Sequence, residues 1–203
     1  MIKAIVLDIG GVLVRTEDRT FRDKLEEQYN LQIGESDKLV FESKAAQAST
    51  IGKAERNEIW EHVANELSLS KEELGEFQTQ FWAGDKLDQE IVRFLHDLSS
   101  FYITALLSNA WLGHRRTLDE EFDIIEGQTA DVILLSSELG VSKPDPRIYA
   151  ILADTTNCIY NEILFVDDFI ENIEAAKALG IHTIHYQPGM NLINAIKSRL
   201  DKN

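Results

Sequence analysis

Ile2-Lys-Ala-Ile-Val-Leu-Asp-Ile-Gly-Gly11 is the stretch from which the rest of the chain is read. Its apolar run, rich in β-branched residues, predicts a buried strand over residues 2–9, and the glycine pair predicts a tight turn directly after it. Three more runs have this character, at 102–107, 163–166 and 181–185, with 132–135 a weaker fifth. Helical patterns lie between them; the one at 171–179 stops at Gly180, as a helix closed by a C-terminal glycine does. Strands alternating with helices imply an α/β domain on a Rossmann-like parallel sheet covered on both faces.

Residues 15–98 follow a different rule. Phe21, Leu25 and Tyr29 recur at helical spacing, as do Trp60, Val63, Ala64 and Leu67, then Leu74, Phe77 and Phe81, then Ile91, Phe94, Leu95 and Leu98. The spacing predicts four or five amphipathic helices inserted after the first strand. The division expected is a core made of 1–14 and 99–203, with a helical cap domain at 15–98. Trp60, Phe77, Phe81 and Trp82 read as packing within that insert rather than as a substrate box.

Composition narrows the function. The 203 residues are 44% apolar and 27% charged, with a net charge of −15. No basic face is available to neutralise a phosphate backbone, so nucleic acid is not an expected partner. The single cysteine, Cys158, excludes an internal disulfide. No apolar run approaches ~20 residues, so no membrane span is expected. The N-terminal apolar stretch runs into a glycine turn rather than a cleavage site, and a cytoplasmic protein is expected. Oligomeric state leaves no mark in the sequence.

Four groups carry the chemistry. Asp8 ends the first strand, Ser108-Asn109 the second and Asp167-Asp168 the fourth, while Lys143 sits in a loop before Pro-Asp-Pro. Ligands of open parallel sheets bind beyond the carboxyl ends of the strands, so these groups are expected to converge. A carboxylate can act as a nucleophile and form an acyl phosphate. Mg²⁺ takes hard oxygen ligands, and lysine with a hydroxyl stabilises transferring phosphoryl oxygens. Gly10 and Gly11 let backbone N–H groups approach a phosphate.

Together, Asp8-Ile-Gly-Gly-Val12, Leu107-Ser108-Asn109, Ser142-Lys143-Pro-Asp-Pro-Arg-Ile-Tyr149 and Phe165-Val-Asp-Asp-Phe-Ile-Glu-Asn172 resemble the four motifs of the haloacid dehalogenase-like superfamily, in order and over nearly the whole chain. The insert sits where that superfamily carries its C1 cap, and the nearest flavour is the small bacterial sugar-phosphate phosphatases, glucose-1-phosphate phosphatase-like enzymes among them. The resemblance implies Asp8 as nucleophile, Ser108 and Lys143 on the phosphoryl oxygens, and Asn109, Gly10 and Gly11 beside the substrate. It implies Mg²⁺ held by Asp8, the Gly10 carbonyl, Asp167 and Asp168, with Asp168 the more structural of the pair. The implied substrate is a small phosphate ester, with the cap closing over it.

One position departs from the pattern. Phosphatases of the superfamily usually carry aspartate two places after the nucleophile, as acid and base; here that residue is Gly10. A positioned acid/base contributes ~10²–10⁴-fold, so slow turnover, good leaving groups or a borrowed acid are expected, with His114 and Glu17 as donors to test. The departure keeps two alternatives open: a metal-independent 2-haloacid dehalogenase, with which Tyr149 is compatible, and a phosphate-binding protein that has lost turnover. Adjacent acids at a nucleophilic carboxylate repel without a cation, and this favours the phosphatase. The remaining histidines, His185 among them, read as structural, and Asn172 as either a surface residue or a partner of the motif.

Overall fold

The computed structural model describes residues 1–201. The chain begins with β1 (Ala4–Leu7) and β2 (Val14–Thr16), then α1 (Thr20–Gln28), α2 (Glu35–Phe41), α3 (Lys44–Ser49), α4 (Arg56–Leu67) and α5 (Lys71–Trp82). It continues through β3 (Asp85–Leu87), α6 (Gln89–Leu98), β4 (Ile103–Ser108), α7 (His114–Phe122), β5 (Val132–Leu135) and α8 (Ser136–Leu139). The last elements are α9 (Pro146–Thr156), β6 (Ile163–Asp167), α10 (Ile170–Ala178), β7 (His182–His185) and α11 (Leu192–Leu200).

Five strands form a parallel sheet in the order β5-β4-β1-β6-β7. All five expected strands are present. β1 is fully buried because helices cover both of its faces. Ile5 and Leu7 pack on one side with residues of α6, α7 and α11, and Ala4 and Val6 on the other with α9 and α10. A strand sandwiched in this way must be apolar at every position, so its sequence is a continuous run instead of an alternation.

α1 to α5 enclose a core of their own, with Leu25, Val40, Ile59, Trp60, Val63, Phe77 and Phe81 buried together. Trp111, from the loop after β4, completes it. The expected internal packing of Trp60, Phe77 and Phe81 is found. α6 behaves differently: Ile91, Phe94, Leu95 and Leu98 lie in the same cluster as the sheet residues Ile5, Leu7 and Leu106. Each such side chain taken from water contributes roughly 1.5–3 kcal/mol to that packing.

The polypeptide enters and leaves the helical segment through an antiparallel ribbon that periodicity does not signal. Val14 pairs with Leu87, Arg15 with Lys86 and Thr16 with Asp85. Arg22 of α1 secures this crossing. Its buried guanidinium bonds the Phe81 carbonyl (3.1 Å), both oxygens of Asp85 (2.9 and 3.0 Å) and Asp37, and lies 4.2 Å from the centre of the Phe81 ring. No helix among the described residues is long and apolar enough to cross a membrane.

Candidate active site

The strand order reverses at β1, whose neighbours are β4 on one side and β6 on the other. A crevice opens at such a switch point beyond the strand ends. Leu7 is in register with both Leu106 and Val166, so Asp8 comes level with Leu107 and Asp167, and Ser108 follows one residue further along β4. The Asp8 amide donates to the Val166 carbonyl at 2.9 Å, and the Ile9 amide donates to Asp8 Oδ1 at 2.7 Å.

Lys143 comes from the loop between α8 and α9. Asn109, expected beside the ligand, commits both ends of its amide to that loop: Nδ2 donates to the Lys143 carbonyl (2.9 Å) and Oδ1 accepts from the Lys143 amide (2.8 Å). The buried ammonium lies 2.7 Å from Asp167 Oδ2, 2.9 Å from the Leu107 carbonyl and 3.0 Å from Asp8 Oδ1. Its three N–H donors therefore all have acceptors. Ser108 is buried nearby, and its hydroxyl has no hydrogen-bond partner among the described residues.

The two acids of β6 have different surroundings. Asp167 is fully enclosed and saturated, accepting from Lys143, from the Phe169 amide (2.8 Å) and from Asn172 Nδ2 (3.0 and 3.1 Å). Asn172 is thus a buried partner of Asp167, and its own carbonyl accepts from the Tyr149 hydroxyl at 2.9 Å. Asp168 has a buried Oδ1 with no partner at all. The acid expected to be the more structural of the two is the one with a free oxygen.

His185, which sequence reasoning set aside, reaches this cluster. Its Nε2 donates to the Asp168 carbonyl at 2.9 Å. The signal was in the register, since β7 pairs with β6 and places His185 opposite Asp167. Gly11 also bears on Asp168. Its φ is +74°, and a Cβ there would stand 2.1 Å from Asp168 Oδ2, so only glycine fits. Gly10 has no such constraint: nothing lies within 4 Å of the point its Cβ would occupy.

Asp8, Asp167 and Asp168 each offer an oxygen, and the three oxygens lie within 4.8 Å of one another. Burial is the main force raising the Asp8 carboxyl to about 7; Lys143 opposes it and Asp167 adds to it. Burial, then the neighbouring Asp167, raises Asp168 to about 6. Burial opposes the charge on Lys143, but Asp8 and Asp167 prevail and hold its proton more firmly than usual. Three carboxylates against one ammonium leave an excess of two negative charges, which a divalent cation with oxygen preference fits.

Neither expected acid donor has a polar contact with this cluster. Glu17 is paired with Arg15 at 2.9 Å. His114 is half-buried at the start of α7, and burial, followed by the charge of Arg56, lowers its imidazole to about 4. A cavity of about 670 Å³ opens against Gly11 and Asp168, with Arg15, Glu17, Tyr186 and Asn191 in its walls.

Comparison with known proteins supplies the wider context. D-ribitol-5-phosphate phosphatase of Bacteroides thetaiotaomicron is 28% identical over 210 residues, covering 93% of this chain and 94% of that protein. Sesquiterpene phosphatase of Aspergillus oryzae is 24% identical, covering 90% of this chain and 89% of its own. Mouse bifunctional epoxide hydrolase 2 is 34% identical over 85 residues, but those span 41% of this chain and only 15% of the relative. Among solved structures, a family enzyme of B. thetaiotaomicron in complex with magnesium and inorganic phosphate superposes with a TM-score of 0.74 at 20% identity, over 94% of this chain and 97% of that one. The family model described as haloacid dehalogenase-like hydrolase matches residues 2–180. This chain therefore belongs to the haloacid dehalogenase-like hydrolases.

Proposed function

We propose that the protein is a Mg²⁺-dependent phosphatase of small phosphomonoesters, with Asp8 as the nucleophile. The observation that carries this reading is the unpartnered buried oxygen of Asp168, set among three carboxylates whose excess charge Lys143 alone does not cancel. Asp8, the Gly10 carbonyl and Asp168 would hold Mg²⁺, with the free oxygen of Asp168 the readiest donor; Asp167 would join them only by exchanging one of its bonds to Lys143, Phe169 or Asn172. Bound there, Mg²⁺ supplies charge neutralisation for the phosphoryl oxygens. The phosphatase relatives that align over most of the chain support the reaction class, and the magnesium and phosphate complex of the B. thetaiotaomicron enzyme supports the cofactor.

The chain's own groups divide the work. Lys143 keeps Asp8 and Asp167 apart yet aligned, and Asn109 holds the loop that carries it. The Ser108 hydroxyl is free to meet a phosphoryl oxygen, as is the Gly10 amide at the turn, whereas the Gly11 amide donates to the Val14 carbonyl at 2.9 Å. The core comprises 1–14 and 99–203, and the segment 15–98 acts as the cap; within it, α1 to α5 form the part that closes while α6 stays on the sheet. Closure would exclude water and strengthen the field at the phosphorus. The substrate is a small phosphate ester, a sugar or polyol phosphate being one candidate. The Tyr149 hydroxyl is held by Asn172 inside the core, which gives the dehalogenase alternative no added support.

The test is phosphate release from an activated aryl phosphate, with Mg²⁺ and with EDTA, run beside halide release from a 2-haloacid. Mg²⁺-dependent phosphate release is expected. Halide release that is indifferent to EDTA would replace this reading with the dehalogenase.

A further inference from the structure

We infer that, given the phosphatase reading, the slow step is release of phosphate from Asp8: the enzyme is phosphorylated readily by esters or anhydrides with good leaving groups, and its Asp8 acyl phosphate accumulates during turnover. Lys143 has its three N–H donors on Asp8, Asp167 and the Leu107 carbonyl. Asp167 has both oxygens occupied, and Asp168 belongs to the cation cluster. Glu17 is engaged with Arg15, and His114 has no polar contact with the cluster. Gly10, on the turn two residues beyond the nucleophile, has no side chain and opens onto free space. Among the described residues, no uncommitted acid or base touches the reacting carboxylate outside the cation cluster.

The two half-reactions suffer unequally from this. In the first, an Asp8 oxygen bonds to phosphorus and the bond from phosphorus to the leaving oxygen breaks, the electron pair staying on that oxygen. An alkoxide needs a proton at that moment. A carboxylate, phosphate or phenolate leaves without one, so an activated substrate avoids the difficulty. In the second, a water oxygen bonds to phosphorus, the bond from phosphorus to Asp8 breaks, and Asp8 recovers its carboxylate. The water proton must then pass to solvent or to a phosphate oxygen. No choice of substrate relieves this step, because the leaving group has already gone. A positioned base is worth ~10²–10⁴-fold, so its absence places the bottleneck at the phosphoenzyme.

The same geometry shows how to remove the bottleneck. The backbone at Gly10 lies outside the left-handed region, and a Cβ there meets nothing within 4 Å. An aspartate introduced at this position has room beside the nucleophile.

The experiment is rapid-quench kinetics of the Mg²⁺-loaded full chain with 4-nitrophenyl and 2,4-dinitrophenyl phosphate. The expected result is a burst of phenol close to one equivalent per enzyme, followed by the same steady rate for both esters. Acid-quenched protein should carry a hydroxylamine-labile phosphoryl group. Gly10→Asp should abolish the burst and raise the steady rate ~10²-fold, whereas Gly10→Asn, which fills the space without a base, should keep the burst. Phosphate release that is linear from the first turnover and tracks the leaving group would overturn the inference and leave the phosphatase standing. Neither phenol nor phosphoprotein under any condition would instead remove the phosphatase reading itself.

Discussion

The Lys143 ammonium donates to Asp167 across 2.7 Å, with the two side chains 1% and 0% exposed. An ion pair this deeply enclosed contributes through what its loss would leave behind: an uncompensated buried charge. Lys143→Met should therefore cost roughly 3–5 kcal/mol of stability, read as a lower denaturant midpoint, and should abolish phosphate release. Lys143→Met with unchanged stability would mean that the cluster is solvated.

The raised carboxyls link stability to pH with a definite sign. A carboxyl whose pKa is higher in the folded state than its ordinary 3.8 binds protons more tightly when folded. In the metal-free protein, Asp8 and Asp168 should therefore favour folding below about 3.8 and lose that contribution as pH rises through about 6 and about 7. Mg²⁺ competes with those protons, so its thermal stabilisation should be larger well above about 7 than well below it. Melting curves with and without Mg²⁺ across this range check the prediction; a pH-independent Mg²⁺ effect would count against carboxylate ligation.

Gly11→Ala is expected to weaken Mg²⁺ binding at least as much as folding. The added methyl meets Asp168 Oδ2 at 2.1 Å and also strains a backbone at φ +74°. Calorimetric Mg²⁺ titration of this variant should give a clearly raised dissociation constant. Wild-type affinity would show that Asp168 relocates without consequence.

His185→Phe removes the donor to the Asp168 carbonyl while keeping a ring in β7. The expected outcome is a higher Mg²⁺ concentration for half-maximal rate, with the rate at saturating Mg²⁺ little changed. A fall in the saturated rate alone would instead indicate a role in the chemistry.

The Arg22 cluster predicts a stability effect far from the catalytic residues. Arg22→Met would leave Asp85 without its guanidinium at the ribbon, Asp37 keeping that of Arg19 at 2.7 Å, and cost about 3 kcal/mol. Chemical denaturation provides the measurement, and a loss within ~0.5 kcal/mol, as for an exposed surface pair, would show the cluster to be solvated.

How much could be read beforehand depended on the kind of signal. β1 was legible because burial on both faces forces a continuous apolar run, and Asp8 and Asp167 because parallel neighbours end together. The ribbon of β2 and β3 was not: each strand has three residues, and its partner lies about seventy positions away. α6 has the same helical spacing as the insert, and periodicity cannot say which core receives Ile91 and Leu95. The unequal surroundings of Asp167 and Asp168 are set by Asn172, Phe169 and Lys143 in three dimensions, so neighbouring identical letters hid them.

Asp8 is the proposed nucleophile, and Asp8→Asn removes it. Phosphate release from an aryl phosphate would be measured for both proteins at saturating Mg²⁺, with melting temperature as the control for folding. Release should be lost in a variant that remains folded. Undiminished release by folded Asp8→Asn would contradict that role.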